Sequence, residues 1–292
     1  MPDRSLEALG LDDVPALRPL SYPGRPIREP GLLDGGEFLP VTPVTGPPGG
    51  WPVTTADGVV HPLDDHLRAG GHTRTADRHP VLAVGSNACA GQLRHKLGGR
   101  AAVPMFPLRV SGIAVGVSGH ISAAGYVSAS PYLDPAATTD VVVTLLDDRQ
   151  LELVDGTEFP RYRRALLTGD RYPMTWGDGR ALRAAYLYVN THGVLCARDG
   201  TPMRAAPQDR ILTDLIERCA TLADLFGSPH DWARRSVADP TLKEAGRRAF
   251  RQAGFVLDQT ELVTGSFDRS TPARTLAELE GADVQFPSGP AV

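Results

Sequence analysis

The chain has 292 residues, with 30 Lys and Arg against 34 Asp and Glu, a formal net charge of −4. That balance argues against a general electrostatic attraction to nucleic acid or to acidic membranes, and no run approaches the roughly 18 apolar residues of a membrane-spanning helix. Three cysteines, Cys89, Cys196 and Cys219, show no metal or redox spacing, and their odd number argues against a disulfide framework. Met1-Pro2-Asp3-Arg4 lacks a signal-peptide apolar core, so a reduced, cytoplasmic location is expected.

Residues 1–79 are rich in Pro and Gly. Glu37 to Val41 reads as a short strand, and Asp34-Gly35-Gly36 and Ala56-Asp57-Gly58 read as hairpin turns. The expectation is an extended arm with hairpins. Leu32, Leu33, Phe38, Trp51, Val59 and Val60 need burial, which predicts that the arm lies on the main domain. His61-Pro62-Leu63-Asp64-Asp65-His66 places two His beside two Asp, but matches no standard ligand spacing. A solvated loop is expected there.

Pro80 to Leu97 reads as strand, turn and helix. Val81 to Val84 is an apolar run, Gly85-Ser86-Asn87 is a turn triplet, and Ala90, Leu93 and Leu97 fall at helical spacing. Such a turn can bind an anion, because the first N–H groups of a helix lack internal partners. It can equally be an ordinary strand-to-helix turn with Ser86 or Asn87 as N-cap. Leu108 to Val117, Ala123 to Ser128 and Asp140 to Leu146 then read as strands, with Gly112, Gly116, Gly119 and Gly125 as bulges or bends in a curved sheet. Asp147 or Asp148 can cap a short helix from Arg149 to Val154, followed by a turn through Glu158. Two further strands are expected, Arg161 to Leu167 and Arg183 to Asn190. In the second, Ala185, Leu187 and Val189 alternate with Tyr186 and Tyr188.

Beyond residue 200 the pattern is helical. Ile211, Leu212, Leu215, Ile216, Cys219, Leu222, Leu225 and Phe226 form one apolar stripe ending at Gly227. Ser228-Pro229 and Asp239-Pro240 each pair a capping residue with Pro at the first helical position. Phe255 to Leu257 suggests an edge strand. From about Pro272 a loose tail is expected, with one short helix at Leu276 to Leu279.

The chemistry-bearing candidate is Glu158. A Gly-containing turn can aim its carboxylate into a pocket as a general acid/base, or leave it solvated. Val84-Gly85-Ser86-Asn87 after a strand, then Leu153-Val154-Asp155-Gly156-Thr157-Glu158, Tyr162-Arg163-Arg164 and Ala185 to Asn190, resemble the γ-glutamyl cyclotransferase-like (AIG2-like) family over about residues 80–190. Val84 stands where that family usually has Tyr, and Phe159 where it often has Gly. The resemblance implies an α+β fold: a small closed or nearly closed mixed β-barrel with flanking helices over residues 80–200. A Pro/Gly-rich N-terminal arm over 1–79 and a helical C-terminal extension over 201–292 would be added to it. It also implies a small-molecule γ-glutamyl substrate, cleaved by attack of its own α-amine to release 5-oxoproline and an amine. Glu158 would be the acid/base, with Val84, Gly85, Ser86, Asn87, Tyr162 and Tyr188 at the substrate. No metal or organic cofactor is needed, and neither nucleic acid nor membrane is an expected partner. Two alternatives stand beside this. One is a serine hydrolase using Ser86, with His120 or His192 as base, although Gly-x-Ser-x-Gly is not present there. The other is a non-catalytic small-metabolite binding or structural module on the same fold.

Overall fold

The computed structural model describes residues 3–99 and 101–281. In the arm, strands β1 (Gly31–Asp34) and β2 (Glu37–Pro40) form the expected hairpin, and β3 (Pro52–Thr54) pairs with β4 (Val60–Pro62). Helix α1 (Leu63–Ala69) follows at once. The His61–His66 stretch is therefore a strand end and a helix, not a loop, because Leu63 and Leu67 lie one turn apart and are both fully buried. Phe38 and Trp51 are buried as expected, whereas Val59 and Val60 are exposed.

Next come β5 (His79–Ala83), a single 3₁₀ turn (Ser86–Ala88) and α2 (Ala90–Leu97). Strands β6 (Ala102–Ile121) and β7 (Val127–Leu146) are 20 residues each and form one continuous hairpin, with register shifts after Ser111 and Val117. Helix α3 (Asp148–Glu158), β8 (Tyr162–Thr168), β9 (Met174–Trp176), β10 (Ala184–Asn190) and β11 (Val194–Leu195) complete the central part. The C-terminal part holds α4 (Gln208–Arg218), α5 (Ala220–Phe226), α6 (Pro229–Ala238), α7 (Pro240–Gln252), β12 (Val256–Leu257), α8 (Thr260–Thr264), β13 (Ser266–Phe267) and α9 (Leu276–Glu280). The single apolar stripe from Ile211 to Phe226 is thus two helices, broken at Cys219.

Eleven strands make one mixed sheet, ordered β12-β11-β6-β7-β5-β10-β8-β13, with β1 and β9 also on β6. Only β5 and β10 pair in parallel among the described residues. The sheet does not close into the barrel expected from the sequence. Closure would need a free edge on both β6 and β8. The outer edge of β6 is shared by β1, β9 and β11, and that of β8 is taken by β13.

Alternation along the strands sends Leu32, Phe106, Val143 and Leu187 to one face and Leu33, Met105, Val142 and Tyr186 to the other. Trp51, Leu63 and Leu67 cover the first face; Leu93 of α2 with Leu151 and Val154 of α3 cover the second. Each such side chain contributes roughly 1.5–3 kcal/mol when fully buried. The distal half of the hairpin leaves these layers. Val117, Ile121 and Val127 pack instead against the C-terminal helices, where Phe226 stacks on Trp232 at 4.0 Å and Trp232 on Phe250 at 6.2 Å.

One buried cation ties distant segments together. Arg78 is fully buried; its Nε donates to Thr73 O at 2.7 Å, and its Nη1 to Ala102 O at 2.9 Å and to Leu145 O and Gln150 Oε1 at 3.2 Å. Its own carbonyl accepts from the Leu276 N–H at 2.7 Å. The tail around α9 is therefore packed rather than loose, with Leu276 and Leu279 buried.

The arm also closes over α2. The Gly91 N–H donates to Leu11 O at 2.9 Å, and the Ala16 N–H to Gln92 Oε1 at 3.0 Å. A Cβ at Gly91 would stand 2.6 Å from the Asp13 carbonyl oxygen. Gly91→Ala is accordingly expected to cost about 1–3 kcal/mol and to speed cleavage within residues 11–22 in limited proteolysis. An unchanged melting temperature together with an unchanged cleavage pattern would show that the arm does not hold α2.

Candidate functional site

Several separate pieces of chain surround one cavity of about 310 Å³. The turn after β5 supplies Val84, Gly85, Ser86 and Asn87, and the end of α3 supplies Glu158. Strands β8 and β10 supply Tyr162 and Tyr188, and the tip of the β6–β7 hairpin supplies His120, Ser122, Tyr126 and Ser128. Every residue proposed from the sequence to act on substrate lines this cavity.

Glu158 is the last residue of α3, not part of a turn. The helix begins with Asp147 accepting from the Gln150 N–H, while the Gln150 side chain accepts from the Asp147 N–H. It runs through Gly156, which costs an exposed helix about 1 kcal/mol relative to Ala. A buried anchor offsets this: the Tyr188 hydroxyl donates to Asp155 Oδ1, and Arg164 Nε lies 3.4 Å from the same oxygen. Burial pushes the Asp155 carboxyl up from its ordinary range, while the Tyr188 hydroxyl and Arg164 pull it down. Asp155 therefore fixes the last turn of α3 on β8 and β10, and so fixes where Glu158 projects.

The Glu158 side chain is 14% exposed and that of Lys96 13%. Lys96 Nζ donates to Glu158 Oε1 at 2.9 Å and to Asn87 Oδ1 at 2.8 Å, and Asn87 Nδ2 donates to Glu158 Oε1 at 3.1 Å. These three residues form a closed ring of hydrogen bonds. All of the contacts fall on Oε1, so Oε2 keeps its lone pairs free of protein partners among the described residues. Lys96 lies on the last turn of α2, and no motif in the sequence pointed to it.

The turn itself differs from a helix N-terminus that binds an anion. Neither Ser86 nor Asn87 caps α2, whose N-cap is Cys89. The arm already occupies the Gly91 N–H. The backbone N–H groups of Gly85, Ser86 and Asn87, by contrast, meet no protein acceptor among the described residues. Gly85 is required for a reason the sequence did not reveal: a Cβ there would overlap the Tyr22 hydroxyl. Tyr22 comes from the arm, stacks on Tyr126 at 4.2 Å and accepts from the Ala129 N–H at 2.8 Å. Burial raises the Tyr22, Tyr162 and Tyr188 hydroxyls, and burial together with the Glu158 charge pushes Tyr126 up to about 12. All four stay protonated near neutral pH and can donate.

His120 is 4% exposed, and its Nδ1 sits 3.0 Å from Asn190 Nδ2. An amide nitrogen can only donate, so Nδ1 accepts and Nε2 carries the proton. Burial, with His192 and Arg161 adding to it, pulls His120 down to about 3. No histidine hydrogen-bonds to Ser86 among the described residues. The low value couples to stability. Unfolded His titrates near 6.5, so the unfolded chain takes up a proton that the folded chain refuses. Stability conferred by neutral His120 is complete above pH 6.5 and is lost as pH falls from there toward 3. Between pH 6 and pH 4.5 the protein should lose about 1 kcal/mol per pH unit more than His120→Gln does, from urea midpoints. Equal losses would remove His120 from this role.

No family model matches the chain, and no curated protein matches it. Two solved structures are similar in part. A solution structure of At3g28950.1 from Arabidopsis thaliana aligns over 38% of this chain and 61% of its own, at 17% identity and a TM-score of 0.29. This chain thus spans less than two thirds of that protein's length. A structure named gamma-glutamyl cyclotransferase aligns over 69% of this chain and 95% of its own, at 12% identity and a TM-score of 0.34.

Proposed function

We propose that this protein is a γ-glutamyl cyclotransferase-like enzyme in which Glu158 is the acid/base. The observation that carries this reading is the free Oε2 of Glu158, in the same cavity as the unpaired N–H groups of Gly85, Ser86 and Asn87. A γ-glutamyl amide bears an ammonium and a carboxylate on one carbon. Oε2 removes a proton from the ammonium, and the freed amine attacks the δ-carbonyl. The new C–N bond closes a five-membered ring, and Glu158 gives its proton to the departing nitrogen as the amide C–N bond breaks. The ring nitrogen then gives up its second proton, through Glu158, to the released amine, which leaves as an ammonium. The cavity needs mainly to hold the folded conformer, which is catalysis by proximity. The turn N–H groups hold the substrate carboxylate or the developing oxyanion. Lys96 and Asn87 keep the carboxylate in one orientation through Oε1.

Ser86 as a nucleophile has less support, since no base reaches its hydroxyl and the Asn190 amide occupies His120 Nδ1. Glu158→Gln keeps the size and the Asn87 contact but cannot accept a proton. Release of 5-oxoproline from a library of γ-glutamyl amines is expected to fall by about a hundredfold to ten-thousandfold in this variant. The melting temperature should fall as well, because the largely buried Lys96 loses its counter-charge. Ser86→Ala should retain most of the rate. Full activity in Glu158→Gln excludes the assignment, and abolition by Ser86→Ala favours the hydrolase. Binding without 5-oxoproline from any member of the library favours a non-catalytic module.

A further inference from the structure

The wall of the cavity formed by the hairpin tip is built for a ligand group that the Glu158 chemistry does not use. Ser122 is 8% exposed, lines the cavity, and its Oγ has no hydrogen-bond partner among the described residues. A hydroxyl buried in this way is destabilising unless something else satisfies it. His120, two residues earlier, presents a neutral ring whose Nδ1 is held by Asn190, leaving the Nε2–H as a donor with no protein acceptor. Arg161 lines the same cavity and forms no ion pair among the described residues. Lys243 lies close enough to Arg161 for the like charge, after burial, to lower its ammonium. The one acid lining the cavity, Glu158, is already paired with Lys96. These side chains therefore offer hydrogen-bond donors and an excess of positive charge, with no carboxylate among the described residues to meet them.

We propose that His120, Ser122 and Arg161 form a second recognition subsite of the cavity, which takes a carboxylate on the leaving half of the ligand. The placement on the leaving half rests on the cyclotransfer reading; the affinity for a carboxylate does not. The turn of Gly85 to Asn87 has N–H groups for the glutamyl half, so a second set of donors serves the other end of the molecule. Arg161 meets the anion as a planar fork, while Ser122 and the His120 Nε2–H add neutral donors. His120 gives direction rather than charge, because a ring that stays neutral presents the same donor across the physiological range.

The test uses three probes of similar size: γ-glutamylglycine, γ-glutamylglycinamide, and the mono-γ-glutamyl amide of ethylenediamine. They end in a carboxylate, a neutral amide and an ammonium. Their dissociation constants are measured by calorimetry on the full chain carrying Glu158→Gln, so that none is consumed. The glycine compound is expected to bind about tenfold more tightly than the glycinamide, and the ethylenediamine compound weakest. Arg161→Met, at an exposed position that the fold does not need, should level the first two. Ser122→Ala should narrow the gap about threefold. Equal affinities, or a preference that survives Arg161→Met, overturns the subsite, as does failure of all three to bind. Release of 5-oxoproline by the unsubstituted chain is followed in parallel and answers a separate question. A carboxylate preference lost in Arg161→Met without any 5-oxoproline keeps the subsite and removes the cyclotransfer reading. Turnover without a carboxylate preference does the reverse.

Discussion

Everything in this protein hangs on the pairing of β6 with β7. A typical strand has about 5–6 residues; these have 20 each and run antiparallel from Met105 opposite Thr144 to Ile121 opposite Val127. The proximal half is the middle of the sheet, holding β1, β5 and β9. The distal half extends past the sheet layers and gives the C-terminal helices an apolar platform. One ladder of backbone hydrogen bonds thus runs from the sheet core into the core of the C-terminal helices. It also explains why the sheet stays open: a strand this long offers its second edge to several short partners, not to one closing strand.

The same hairpin sets the chemistry of the cavity. Its tip brings His120, Ser122 and Tyr126 over the turn that follows β5, while α3, anchored by Asp155, brings Glu158 from another direction. Charges are arranged unevenly as a result. Glu158 and Lys96 neutralise each other on one side, and Arg161 has no counter-ion among the described residues on another. Between them stand tyrosine hydroxyls that burial keeps protonated. The arm is part of this wall, since Tyr22 occupies the space that the missing Gly85 side chain leaves.

Local signals in the sequence were the readable ones. Ser228-Pro229 and Asp239-Pro240 start helices where their capping chemistry requires, with Ser228 accepting from the Asp231 N–H and Asp239 from the Thr241 N–H. Alternation sorted Ala185, Leu187 and Val189 from Tyr186 and Tyr188 onto the two faces of β10. What escaped was decided by distant partners. Gly112 and Gly119 read as bulges or bends, and the ladder does shift register between Ser111 and Ile113 and between Val117 and Ile121; the sequence did not show that β6 continues through both as one strand. Helix α3 was expected to stop at Val154, because Gly156 weakens it locally and the Asp155 anchor lies on strands far away in sequence. In the cavity, the motif residues Gly85 to Asn87 and Glu158 were visible as a pattern. Lys96, Tyr22 and Arg161 belong to no pattern, since only folding brings them near the others.

Arg78 carries a consequence for how the chain is made. Its side chain binds carbonyls of β6 and β7 and the amide of Gln150, and its own carbonyl is met by the Leu276 N–H nearly two hundred residues later. During synthesis Ala102, Leu145 and Gln150 emerge well before Leu276. Until then Arg78 sits beside an unfinished end of the sheet. The guanidinium already has its partners by then, but the carbonyl of Arg78 must be left to water. The backbone at Arg78 is in this sense completed by a five-residue helix that lies far along the chain.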